Sequence, residues 1–141
     1  MRFGVLGYGK IAREVMIPAI QGSGHQVTVI GSARGAAPDG FDGEVMRDYV
    51  EALRHENVDA VYIALPNHLH HGVTTAALES KRPVLCEKPL GLTAYQTSDL
   101  VKTSRANQTL LREAFMVAHH PQWEWLRSQI GDNDHVNVSV Q

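Results

Sequence analysis

Six consecutive apolar residues, Ala60-Val61-Tyr62-Ile63-Ala64-Leu65, lie near the middle of this 141-residue chain. Successive side chains of a strand point to opposite faces, so this run is apolar on both. A central strand of a parallel sheet, covered by helices on two sides, meets that demand. Further short apolar runs at Phe3–Leu6, Val27–Ile30, Val84–Cys86 and Leu110–Phe115, with Val136–Val140 as another candidate, are separated by longer amphipathic stretches. Strand–helix alternation of this kind predicts an α/β fold built on one parallel sheet with right-handed crossovers. With 43% hydrophobic and 20% charged residues, the chain has the composition of an ordinary globular domain with one core.

Local signals place the helices. Asp48-Tyr49-Val50-Glu51 fits a capping box that opens a helix through about residue 56, and Thr93-Ala94-Tyr95-Gln96 fits another ahead of a helix ending near Asn107. Pro121 suits the first turn of a helix running to Gly131. From Gly35 to Gly43 the chain is rich in glycine, proline and aspartate, so the crossover helix expected after the second strand is short or missing there.

The first strand ends in Gly7-Tyr8-Gly9-Lys10-Ile11-Ala12, a G-x-G-x-x-A turn leading into a helical run to about Ile20. Gly7 permits the tight turn, Gly9 lets a pyrophosphate approach the backbone, and Ala12 allows close helix–strand packing. The helix N-terminus offers unpaired N–H groups and a positive dipole end to phosphate. Gly7, Tyr8, Gly9, Lys10 and Ile11 are therefore candidate dinucleotide contacts, in a doubly wound sheet of the Rossmann type. A merely tight β–α turn is the alternative. Beyond the second strand stand Gly31-Ser32-Ala33-Arg34, with no acid before Asp39. NAD sites commonly place an acid there for the ribose 2′-hydroxyl. Ser32 and Arg34 can instead hydrogen-bond a 2′-phosphate, which favours NADP over NAD; otherwise Arg34 is a solvated loop residue.

Three later segments are Val58–His70, which contains Leu65-Pro66-Asn67-His68-Leu69-His70; Val84–Leu90, which contains Glu87-Lys88-Pro89; and Glu113-Ala114-Phe115-Met116, which continues to His119-His120-Pro121-Gln122. With the glycine turn, they resemble the N-terminal half of the glucose–fructose oxidoreductase/inositol dehydrogenase (Gfo/Idh/MocA) family. The joint occurrence of P-N-x-x-H and Glu-Lys-Pro carries the resemblance. The resemblance implies that Lys88 contacts substrate and nicotinamide ribose as the catalytic lysine. It also implies that Glu87 orients the cofactor, that Asn67 and His70 line its nicotinamide end, and that Leu65 and Pro66 contact the cofactor. Asn67 is also expected to cap the helix through His70. The physics agrees: these segments follow strand ends, where open α/β sheets bind ligands, and Pro89 biases Lys88 toward an extended conformation. The alternative for Lys88 is a surface lysine paired with Glu87.

The family continues into a second α/β domain that carries substrate contacts and usually the oligomer interface. The resemblance therefore implies a dinucleotide-binding domain over residues 1–131 and the start of a C-terminal domain at 132–141. It implies an NAD(P)-dependent oxidoreductase acting on a secondary alcohol or carbonyl of a sugar, polyol or similar small molecule, homo-oligomeric through the second domain. These 141 residues alone are expected to bind dinucleotide weakly and catalyse little. The rival reading is a standalone, non-catalytic dinucleotide-binding module. A net charge of −2 argues against a nucleic-acid or anionic-membrane partner, and the single cysteine, Cys86, against a disulfide. A cytoplasmic location is expected. The histidine groups 68, 70, 71 and 119, 120 lack a completed metal-ligand set. Trp123 and Trp125 cannot share a helix face, so one is expected in the core.

Overall fold

The computed structural model describes residues 1–129. Six strands, β1 (Arg2–Leu6), β2 (Gln26–Gly31), β3 (Glu44–Met46), β4 (Ala60–Ile63), β5 (Val84–Cys86) and β6 (Leu111–Glu113), form one sheet in the order β3-β2-β1-β4-β5-β6. Every neighbouring pair is parallel. The order reverses between β1 and β4, so a crevice opens beyond their carboxyl ends, as in a doubly wound Rossmann sheet. Four α-helices lie between the strands, α1 (Ile17–Gly22), α2 (Tyr49–Arg54), α3 (Asn67–Glu79) and α4 (Ala94–Ala106), and α5 (Pro121–Gln129) follows β6. The candidate strand at 136–140 and the proposed domain limit at 131 lie outside the described residues.

Alternation along the strands divides the core in two. Leu6, Val29, Val61, Ile63 and Cys86 join Leu53, Val73, Leu78 and Leu100 of α2, α3 and α4 on one face. Val5, Ile30 and Tyr62 meet Ala12, Ile17 and Ile20 on the other, joined by Val27, which the register shift at Thr28 turns to this face. All four residues of β4 are buried, which is the two-sided cover its composition demands. The Cys86 thiol is fully buried, and burial pushes its pKa up to about 11, so it packs as a small hydrophobe.

The helix caps follow the sequence closely. The Asp48 carboxylate accepts from the amides of Val50 (2.7 Å) and Glu51 (2.9 Å). Thr93 Oγ1 accepts from Gln96 N at 3.2 Å, while Gln96 Oε1 reaches back to Leu92 N at 2.8 Å. The run after the glycine turn widens into a π-helical turn at Ala12–Met16 before α1. Pro18 lies just beyond it, and a proline ring has no N–H and crowds the carbonyl four residues back, which accounts for the widening.

Three features depart from the expectations. The crossover helix after β2 is missing, as expected, but an unexpected strand, β3, follows the glycine-rich stretch. It is three residues long with Val45 40% exposed, so it lacks the apolar pattern that marks a strand. The Leu110–Phe115 run contributes only Leu111–Glu113 to β6. Neither tryptophan is core: Trp123 is 36% and Trp125 64% exposed.

At the amino edge of the sheet, Asp59 accepts from Arg2 Nη2 at 2.7 Å and from the Arg2 amide at 2.8 Å. These bonds, the side-chain one foremost, hold the Asp59 pKa at about 2. A carboxylate whose pKa is depressed by folding stabilises the fold above its ordinary pKa and loses that contribution as pH falls through the folded value. The stability difference between the parent chain and Asp59→Asn is therefore expected to shrink from about pH 4 to pH 2, measured by urea unfolding across that range.

Candidate functional site

The crevice at the sheet reversal is built from four strand ends. Gly7 closes β1 with φ +99°, and its amide donates to Gly31 O at 2.8 Å. A Cβ there would collide with the Ala64 carbonyl, so β1 and β4 approach as closely as they do only because residue 7 has no side chain. Gly9 is the converse: a Cβ there would meet nothing within 4 Å. The first helical bond beyond the turn runs from Arg13 N to Gly9 O at 3.0 Å. The amides of Lys10, Ile11 and Ala12 precede it and have no intrahelical partner. An open glycine face beside free amides fits a pyrophosphate. Tyr8 is half-buried against the α1-side core, while the Lys10 ammonium lies 3.9 Å from Glu14.

The end of β2 forms a compact turn. Ser32 is 5% exposed; its amide donates to Met46 O at 2.8 Å and its carbonyl accepts from Gly35 N at 2.8 Å. Its hydroxyl oxygen accepts from Ala36 N at 3.0 Å and keeps its own proton to donate. Arg34 is exposed on this turn. A second cation was not anticipated from the sequence: the Arg47 guanidinium lies 3.7 Å from where a Gly35 Cβ would stand. Arg47 follows β3 directly, and recognising that strand was the signal that would have found it. Among the described residues neither Arg34 nor Arg47 makes an ion pair.

Beyond β4, Leu65 is buried while Pro66 and Asn67 are exposed at the crevice lip. Pro66, with φ −54° and ψ 138°, occupies the N-cap of α3, so Asn67 begins the helix and does not cap it. This corrects the expected cap: proline with its fixed φ supplies the entry geometry instead. His70, expected at the nicotinamide end, stands behind these lip residues. It is fully buried, with Nε2 2.8 Å from Leu65 O and Nδ1 2.8 Å from Pro89 O. Both ring nitrogens are thus engaged by backbone behind the lip. His71 turns away to Asp99, with Nε2 2.9 Å from Oδ2.

Beyond β5, the Tyr62 hydroxyl donates to Glu87 Oε1 at 2.8 Å, and burial together with this carboxylate raises the tyrosine pKa. Lys88 and Pro89 are exposed. Among the described residues the Lys88 ammonium makes no ion pair, so the alternative in which it is tied to Glu87 does not occur. From β6, Glu113 Oε1 accepts from Leu90 N at 2.7 Å. Beside this end lies a mainly apolar cleft of about 570 Å³, lined by residues including Met16, Leu85, Glu113, Phe115 and His119. No helix among the described residues is long and apolar enough to cross a membrane.

A glycine turn with free amides beyond β1, at the reversal of a parallel sheet, defines a dinucleotide-binding domain of the Rossmann type. Residues 1–115 match the model of the oxidoreductase family with an NAD-binding Rossmann fold, and the chain belongs to that Gfo/Idh/MocA family. It is 38% identical over 130 residues to an uncharacterized oxidoreductase of Rhizobium meliloti, covering 88% of this chain and 39% of that protein. It is 36% identical over 126 residues to a D-xylose 1-dehydrogenase (NADP(+)) of Haloferax volcanii, covering 86% and 39%. A crystal structure of KijD10, a 3-ketoreductase from Actinomadura kijaniata in complex with NADP, superposes with a TM-score of 0.83 at 35% identity, covering 92% of this chain and 43% of that one. The chain thus spans about two-fifths of the length of these relatives.

The two glycines separate fold from ligand. Gly7→Ala is expected to destabilise the chain by about 2–4 kcal/mol, through backbone strain and the clash with Ala64. Gly9→Val should leave the urea midpoint nearly unchanged yet weaken dinucleotide binding by about tenfold or more, because its side chain fills the space open to phosphate. Paired denaturation and calorimetric titrations check both.

Proposed function

We propose that this chain is the cofactor-binding part of an NADP-preferring oxidoreductase that moves hydride between nicotinamide and a secondary alcohol or carbonyl of a sugar or polyol. The observation that carries the reading is the convergence of the Gly7–Ala12 turn and the unpaired Lys88 on one crevice. Bound NADP supplies the hydride chemistry; the protein supplies binding, orientation and proton transfer.

The roles follow from position. The Gly7–Ile11 backbone holds the pyrophosphate. Ser32 donates to the 2′-phosphate, with Arg34 and Arg47 supplying charge that a 2′-hydroxyl would not need. Leu65, Pro66 and Asn67 bound the nicotinamide end, and Glu87 helps orient the cofactor. Lys88 exchanges a proton with the substrate oxygen as the alcohol is oxidised or the carbonyl reduced. His70 acts in this reading from behind the lip, through Leu65 and Pro89. The sugar or polyol substrate class rests on the relatives: a D-xylose dehydrogenase and a 3-ketoreductase.

Calorimetric titration of the 141-residue chain with NADPH and NADH tests the cofactor reading. NADPH is expected to bind more tightly. Arg34→Ala and Arg47→Ala should each weaken NADPH by about tenfold, as loss of a charge-assisted bond to phosphate predicts, and leave NADH nearly unchanged. Equal affinities for the two cofactors in the parent chain would overturn the NADP preference. In any preparation of this chain that turns over a sugar or polyol, Lys88→Met should lower kcat by about a hundredfold or more. Unchanged turnover would remove Lys88 from the chemistry.

A further inference from the structure

The turn that carries Lys88 is held from three sides by groups to which the proposed chemistry gives no direct part. From β4, Tyr62 donates its hydroxyl to Glu87 Oε1 at 2.8 Å. From α3, His70 Nδ1 lies 2.8 Å from Pro89 O. From the end of β6, Glu113 Oε1 accepts the Leu90 amide at 2.7 Å. The anchored residues are 87, 89 and 90. The one between them, Lys88, is exposed and makes no ion pair among the described residues.

We infer that Tyr62, His70 and Glu113 are positioning residues that fix the backbone of Lys88 and so set where its ammonium is presented in the crevice. The inference rests on the proposed role of Lys88 and adds to it the means by which an exposed lysine is aimed. A lysine side chain has four rotatable bonds, so the direction of its head depends on how firmly its Cα is held. Buried hydroxyl and imidazole groups need partners wherever they stand, and those two bonds alone would be explained by desolvation. Glu113 is different. It is an exposed residue whose carboxylate could stay in water, yet it makes a short charge-assisted bond to the turn. His70 adds a second constraint, because its other nitrogen lies 2.8 Å from Leu65 O. The ring thereby stands between the lip that follows β4 and the turn that follows β5, its neutral form donating to one of the two carbonyls.

The test combines amide hydrogen exchange with a double-mutant cycle read as NADPH affinity in the 141-residue chain. Glu113→Ala should speed exchange at Leu90 by about tenfold, leaving the β4 amides Val61–Ile63 protected, and weaken NADPH by about fivefold. Glu113→Gln, whose amide oxygen can still accept from Leu90, should restore both. In a Lys88→Met background, Glu113→Ala should cost no further affinity, since its effect passes through the lysine. Tyr62→Phe, which keeps the ring in the core, should behave in the cycle as Glu113→Ala does.

Equal losses of affinity in the parent and Lys88→Met backgrounds would show a general structural role and overturn the inference. Unchanged exchange at Leu90 in Glu113→Ala would overturn it as well. A Lys88→Met chain that binds NADPH as tightly as the parent would instead overturn the cofactor contact assigned to Lys88, and the inference with it.

Discussion

The close passage of β1 and β4 is the contact on which the rest of the molecule depends. Gly7 lies where a side chain would strike the Ala64 carbonyl, and the Ala64 amide donates to Leu6 O at 2.8 Å. These strands are the point of reversal, with β2 and β3 wound to one side and β5 and β6 to the other. A wider separation there would break the ladder between the two halves. It would also move the glycine turn away from the lips that follow β4 and β5. Fold and site share one steric requirement, met by the absence of a single carbon atom.

From that contact outward, strand alternation decides which residues serve packing and which serve the crevice. On β4, Val61 and Ile63 face the helices α2–α4, and Tyr62 faces α1. A two-residue period thus puts one polar atom, the Tyr62 hydroxyl, beneath the β5 turn, within reach of Glu87. The ring is core and the hydroxyl is scaffold, which is why tyrosine, with an apolar body and a polar tip, suits this position.

Much of this was legible in the sequence, for identifiable reasons. β1, β2, β4 and β5 announce themselves because buried parallel strands must be apolar. Both capped helices announce themselves because Asp48 and Thr93 stand where orphan amides need acceptors. The glycine turn was readable because Gly7 and Gly9 have separate steric duties. β3 was not legible: Glu44-Val45-Met46 joins the sheet through its backbone, and backbone pairing leaves no signature in side chains. With β3 went Arg47, whose place beside Gly35 depends on that register. The burial of His70 is not legible in the sequence, because its two carbonyl partners lie 5 and 19 residues away and only the folded turn brings them together. Asparagine is a common capping residue, so the sequence points to Asn67 for the cap, whereas Pro66 already fixes the backbone there.

The buried thiol of Cys86 gives this chain an internal clock. It is the sole cysteine, it is fully buried on β5, and its pKa of about 11 keeps it protonated at neutral pH. Thiol reagents attack the thiolate, so the closed molecule is inert to them. Modification must wait until β5 opens, and its rate then follows the open fraction of the strand that leads directly into Glu87 and Lys88, or its opening rate where the reagent outpaces reclosing. The residue with no part in the chemistry thus reports how often the segment carrying the chemistry comes apart.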